Sequence, residues 1–188
     1  DHTLIDIKTK LLSTRPTAVN LQWAVKIMFD LLSKTKKQNR LDEALKKAKA
    51  MLKEDINSNF RIGKNGYEVI KKIINKKKSN SLNVLTHCNA GWLATVDWGT
   101  ATSPIYYAKE KGINVHVFVD ETRPRNQGAQ LTTWELSHNN ISHDLIVDNA
   151  GGHLMQHNEI DLVIVGSDRT SANGDAVSYT HLRAHETN

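Results

Sequence analysis

Residues 82–120 read LNVLTHCNAGWLATVDWGTATSPIYYAKEKGINVHVFVD. Leu82–His87 is a short apolar strand that stops at Cys88, Gly99–Lys111 reads as a helix, and Asn114–Asp120 is a β-branched run. The alternation continues downstream. Gln127–His138 is predicted as a helix, His143–Asp148 as a strand, Gly151–His157 as a short helix and Asp161–Gly166 as a strand. Strand and helix in turn imply a parallel sheet with helices on its faces, an α/β fold. In such sheets ligands bind beyond the carboxyl ends of the strands, so the residues just after each strand are the informative ones.

Upstream, the period changes. Residues 16–53 read as two helices. Val19, Trp23, Ile27, Met28 and Leu31 mark the apolar face of the first, with Thr14 as its expected cap and Pro16 in its first turn. Leu41, Ala44, Leu45, Ala48 and Leu52 mark that of the second, with lysines opposite. Residues 55–66, which hold Gly63 and Gly66, read as a loop, and Tyr67–Asn75 as a third helix.

Charge divides at the same place. Residues 1–80 carry 19 Lys and Arg against 8 Asp and Glu, whereas residues 81–188 carry 6 against 12. A basic half can mark a nucleic-acid surface or a solvated, Lys-rich helical face. Lys34–Lys37 and Lys76–Lys78 have no interleaved aromatics and no recognisable nucleic-acid motif, which favours the solvated face. No stretch has the apolar length of a membrane span, and DHTLIDIKTK at residues 1–10 has no signal-peptide core. A single cysteine permits no internal disulfide and fits a reducing compartment, here expected to be the cytoplasm.

The four strand ends are polar and glycine-containing: Thr86–Gly91, Asp120–Gly128, Asp148–Gly152 and Gly166–Arg169. Cys88 reads either as a small buried hydrophobe or as a functional thiol near a helix start. Asp168 reads either as a helix cap or as a general acid/base. Arg123 and Arg125 suit surface ion pairs or a bidentate phosphate clamp. Histidine pairs such as His138/His143 and His153/His157 raise a metal site, but no third ligand falls at a diagnostic spacing, and the expectation is no metal.

RPTAVNLQWAV at 15–25, LTHCNAGWLAT at 85–95, DETRPRNQGAQLTTWEL at 120–136 and VGSDRTSANGD at 165–175 together resemble the methylthioribose-1-phosphate isomerase family. That family also includes ribose-1,5-bisphosphate isomerase and the regulatory subunits of a translation-initiation guanine-nucleotide-exchange factor. The resemblance implies a helical region (1–80) leading into the first part of a Rossmann-like α/β catalytic domain (81–176). It implies aldose–ketose isomerisation of a sugar phosphate in methionine salvage, with no metal or organic cofactor. It implies Cys88 and Asp168 as catalytic residues, Arg15 and Gln127 as substrate contacts, a homodimer, and no nucleic-acid or membrane partner. Family members are roughly twice as long. After Asp175 they continue to an Asn-Lys substrate-binding pair, whereas this chain reads AVSYTHLRAHETN. Residues 177–188 are therefore expected to be a non-native tail on an internal fragment that is poorly soluble and inactive by itself.

Overall fold

The structure, a computed structural model, describes residues 2–16, 18–167 and 169–177. Asp168 and the expected tail from residue 178 onward lie outside the described residues. The chain divides into two compact units, one through Glu54 and one from Asp55 onward.

The first unit contains α1 (His2–Thr14), α2 (Val19–Lys34) and the start of α3 (Arg40–Lys77). Helix α2 forms where expected, but its buried residue is Val25, and Val19 and Trp23 of the predicted apolar face are exposed. Its start differs from expectation. Thr14 is the last residue of α1 and donates its hydroxyl to Leu11 O at 2.7 Å, so it closes one helix instead of capping the next. Ala18 occupies the N-cap position of α2 without a side-chain cap.

The expected loop at 55–66 is also corrected: α3 runs unbroken from Arg40 to Lys77. Glycine in a helix interior costs about 1 kcal/mol relative to alanine, which is why Gly63 and Gly66 read as breakers. Here they serve close approach. A Cβ on Gly63 would lie 2.4 Å from Ser103 Oγ, and one on Gly66 would lie 2.4 Å from Pro104 Cγ. Ser103 Oγ donates to Asn59 O at 2.7 Å across this contact. Gly63→Ala is therefore expected to destabilise the fold by about 1–3 kcal/mol through overpacking. Urea denaturation checks this, and an unchanged midpoint would count against the packing assignment.

The second unit holds a four-stranded sheet of β1 (Ser81–Thr86), β2 (Asn114–Asp120), β3 (Ser142–Ile146) and β4 (Leu162–Val163), ordered β3-β2-β1-β4. All its pairings are parallel, as the alternation predicts. Between the strands lie α4 (Ser103–Glu110), α5 (Thr133–His138) and α6 (Ala150–Gln156). A small antiparallel pair, β5 (Arg169–Thr170) and β6 (Ala176–Val177), follows.

Period two in the strands makes the core. Leu82 pairs with Val115, and Val84 with Val117, so these side chains share one face. That face packs with Ile70 of α3, Ile105 and Ala108 of α4, and Leu136 of α5. Each fully buried aliphatic side chain of this kind contributes about 1.5–3 kcal/mol. Leu85, on the other face, meets α6, where a Cβ on Gly151 would come within 3.0 Å of its Cδ2. Among the described residues no helix is long and apolar enough to cross a membrane.

Candidate active site

Strand β2 lies beside β1 on one side and β4 lies on the other. The chain order thus reverses between β1 and β4, and the crevice at their carboxyl ends is where a parallel α/β sheet takes its ligand. The loop after β1 carries Cys88, and the loop after β4 carries Gly166 and Ser167. These loops meet: a Cβ on Gly166 would sit 3.0 Å from Ala90 Cβ. A surface groove of about 550 Å³ opens at the opposite end of the sheet, among Asn83, Lys109, His116, Asn140 and Ser142. It lies at the amino ends of the strands, the wrong end for this architecture.

Cys88 is half-buried and free. Its backbone adopts φ 65°, a left-handed conformation uncommon outside glycine. The N–H of Cys88 donates to Thr122 Oγ1 at 2.8 Å. Thr132 Oγ1 donates to Cys88 O at 2.5 Å.

Glu135 secures the next part of the loop. Its Oε1 accepts from Asn89 Nδ2 at 2.8 Å and from Leu93 N at 3.0 Å. Its Oε2 accepts from Trp92 N at 2.9 Å and from the Tyr106 hydroxyl at 3.0 Å. Trp92–Ala94 form a single 3-10 turn, so the carboxylate satisfies the exposed amides at that turn's start. Gly91 leaves room for it, since a Cβ there would lie 1.8 Å from Oε2. Burial, and secondarily the charge of Glu135, push the Tyr106 hydroxyl well above the ordinary tyrosine range, so it stays a proton donor.

The loop after β2 is equally fixed. Asp148 accepts from Thr122 N and Arg123 N, both at 2.7 Å. Thr122 also has positive φ, at 64°, and the Arg123–Pro124 peptide is cis. Gln127 leads into a π-turn (Gly128–Thr132) that continues as α5, so the predicted helix at 127–138 is present with a widened first turn. Only glycine fits at 128, where a Cβ would lie 1.8 Å from Asp120 O. The π-turn presents Thr132 to Cys88 and Glu135 to the following residues, a use of π geometry common near functional sites.

Beneath the loops, His87 Nδ1 bonds Asp120 Oδ2 at 3.0 Å, with both side chains buried. Burial raises the Asp120 carboxyl above the usual range, and its bond to His87 partly offsets this. His87, Asp120 and Asp148 have potential ligand atoms within 4.8 Å of one another. His87 and Asp120 bond each other and Asp148 accepts from two backbone amides, while Asp120 Oδ1 is buried with no hydrogen-bond partner among the described residues. Of the two histidine pairs raised by the sequence, His157 Nδ1 donates to His153 O at 2.9 Å and His143 Nδ1 to Ile141 O at 2.8 Å.

The predicted site residues fall in different places. Cys88 and Gln127 both lie at the carboxyl edge of the sheet, and Gln127 Oε1 is buried with no hydrogen-bond partner among the described residues. Arg15 is exposed in the first unit, in the link between α1 and α2, where its carbonyl accepts from Ala18 N at 3.1 Å. Asp168 is outside the described residues. Arg123 is exposed, and among the described residues its side chain reaches Asn126 Oδ1 at 3.5 Å and forms no ion pair. Thr122, Thr132, Glu135 and Asp148 were not singled out in the sequence, although three of them lie within the 120–136 segment. The available signal was a glutamate next to Leu136 in a short helix, three residues after a threonine.

The comparisons extend over nearly all of the chain. The methylthioribose-1-phosphate isomerase of Cereibacter sphaeroides is 57% identical over 186 residues, covering 98% of this chain and 51% of that protein. The crystal structure of 5-methylthioribose 1-phosphate isomerase from Pyrococcus horikoshii is similar with TM-score 0.74 and 37% identity, covering 90% of this chain and 46% of that one. The structure of translation initiation factor eIF-2B subunit delta from A. fulgidus is similar with TM-score 0.73 and 40% identity, covering 89% and 47%. The chain thus spans about half the length of the curated relatives it matches. The model of the initiation factor 2 subunit family matches residues 1–180, and the chain belongs to that family.

Proposed function

We propose that the gene product carrying this chain is an aldose–ketose isomerase that converts 5-methylthioribose 1-phosphate to 5-methylthioribulose 1-phosphate. The observation that carries this reading is the Cys88 loop, buttressed in a left-handed conformation at the switch point of the sheet beside the Gly166-Ser167 loop. A purely packing cysteine has no need of that conformation. The relatives named for this activity, at up to 58% identity, support the substrate. Overall fold likeness does not discriminate, because the eIF-2B delta chain from A. fulgidus is as similar as the isomerase from P. horikoshii. The retention of both Cys88 and Asp168 favours catalysis over a regulatory-subunit role.

The chemistry suits these residues. The substrate's anomeric phosphate blocks simple ring opening, so the ring oxygen must be protonated as the ring opens. Asp168 is proposed as that acid, a role that a carboxyl fills where its surroundings raise its pKa. Hydrogen then moves between C2 and C1, with Cys88 acting as acid/base or shielding the reacting carbons from water. Arg15 and Gln127 contact substrate, the arginine through bidentate bonds to phosphate. The protein acts as a cytoplasmic homodimer without nucleic acid.

Turnover of methylthioribose 1-phosphate against ribose 1,5-bisphosphate tests the substrate assignment. The first is expected to be preferred at least tenfold in kcat/KM, a difference of about 1.4 kcal/mol in transition-state binding. Preference for the bisphosphate would replace the assignment, and turnover of neither would favour the regulatory reading.

A further inference from the structure

We infer that Thr122 and Thr132 are positioning residues that hold Cys88 in its left-handed backbone conformation. Cys88 has φ 65°, which a residue with a Cβ adopts rarely and keeps only when its surroundings impose it. Here the surroundings are two hydroxyls, one on each side of the residue. Thr122 Oγ1 accepts the Cys88 N–H at 2.8 Å, and Thr132 Oγ1 donates to the Cys88 carbonyl at 2.5 Å.

The proton count makes each hydroxyl specific for its task. Thr122 has one hydroxyl proton and gives it to Asp120 O at 3.1 Å, so a lone pair faces Cys88 N–H. Thr132 gives its proton to Cys88 O and accepts from Asn89 Nδ2 at 3.3 Å. Both threonines are buried, at 0% and 1% exposure, so water does not readily take over either bond.

The clamp is itself anchored. Thr122 also has positive φ, and its N–H is fixed on Asp148 Oδ1 at 2.7 Å. Thr132 sits at the end of the π-turn, where Gly128 packs on the backbone of Asp120. The ends of β2 and β3 and the start of α5 thus converge on one residue. With the peptide groups on either side fixed, the direction of the Cα–Cβ bond at Cys88 follows. That is the requirement for a side chain that must meet a reacting carbon to within a fraction of an ångström.

This inference rests on the reading of Cys88 as catalytic, and the test separates the two. Thr122 and Thr132 are each replaced by valine, which keeps shape and branching but removes the hydroxyl, and by serine, which keeps the hydroxyl. Steady-state kinetics on methylthioribose 1-phosphate and the iodoacetamide alkylation rate of the Cys88 peptide, read by mass spectrometry, are measured on the gene product carrying this chain. The valine variants are expected to lose about 10–100-fold in kcat with KM within about twofold, and the serine variants to stay within about threefold of wild type. Alkylation of Cys88 should change at least about fivefold in the valine variants and return in the serine variants, because accessibility and orientation govern thiol reactivity.

Folded valine variants with wild-type alkylation rates would overturn the inference, as would serine variants that fall as far as valine. If Cys88→Ser retains full turnover, the catalytic reading fails, while altered alkylation in the valine variants would still establish the clamp. Should Thr132→Val not fold, Cys88→Gly is combined with it, since glycine adopts positive φ without a clamp. Recovery of folding in the double variant is expected, and failure to recover would overturn the inference.

Discussion

Cys88→Ser in the gene product carrying this chain is expected to lower kcat for methylthioribose 1-phosphate by about 10²–10⁴-fold, the range for losing one acid/base group. KM should change little, because the lost interaction belongs to the transition state. Serine keeps the size and position of the side chain, and the two threonine bonds go to the backbone of residue 88, so the fold should persist. An alcohol titrates far above a thiol and cannot share a proton near neutral pH. Asp168→Asn should produce a loss of the same order, since the amide cannot protonate a ring oxygen. The pair is expected to be non-additive, with the double variant little slower than the worse single one. A Cys88→Ser enzyme within about threefold of wild type, well short of what an acid/base group contributes, would remove Cys88 from the chemistry.

Glu135→Ala should produce the largest loss of stability. Four donors converge on this carboxylate: Asn89 Nδ2 and Leu93 N on Oε1, and Trp92 N and the Tyr106 hydroxyl on Oε2. The side chain is 0% exposed, so its removal strands donors and opens a cavity beside Gly91. The expected cost is about 3–5 kcal/mol, the scale for breaking a buried polar cluster on one side. For a chain of this size that corresponds to roughly 10 °C in Tm. Glu135→Gln should cost about half as much by the same logic. Its amide oxygen still serves one pair of donors, and Tyr106 can turn its hydroxyl to accept from the new NH2, leaving one backbone donor stranded. Thermal and urea denaturation of wild type, Gln and Ala variants give the order, and an Ala variant as stable as wild type would show that the loop does not depend on this carboxylate.

The parallel sheet was legible because β-branched runs such as Asn114–Asp120 alternate with helical segments, and that rhythm has few alternatives. Strand order was not legible, since a buried strand does not encode its neighbours, and β3-β2-β1-β4 is fixed by tertiary packing. Gly63 and Gly66 misled for a physical reason. Glycine serves both to break a helix and to let another element approach it, and local sequence does not say which. Thr14 misled similarly, since a threonine hydroxyl caps a helix start or bonds backward to a carbonyl at its end.

At the candidate site, the strand pattern alone gave the carboxyl edge and raised Cys88 there, while the catalytic role of Cys88 and the substrate contact at Gln127 came from the resemblance. The clamp was invisible because its partners are 34 and 44 residues away from Cys88 in sequence. No spacing rule connects a threonine hydroxyl to a backbone amide at that separation. Glu135 was hidden by its context, a charged residue in the short mixed helix TWELSH that reads as a surface position until the loop it anchors is seen.

The most direct measurement of the central claim is the conversion of 5-methylthioribose 1-phosphate to the ketose by the purified gene product, followed as product formation beside its Cys88→Ser variant. Turnover of about 1–10³ per second by wild type, the usual range for enzymes, with a loss of at least about 10²-fold in the variant, is the result expected of an isomerase working through Cys88. A folded protein that leaves the substrate unchanged, or one whose turnover is indifferent to Cys88, would contradict it.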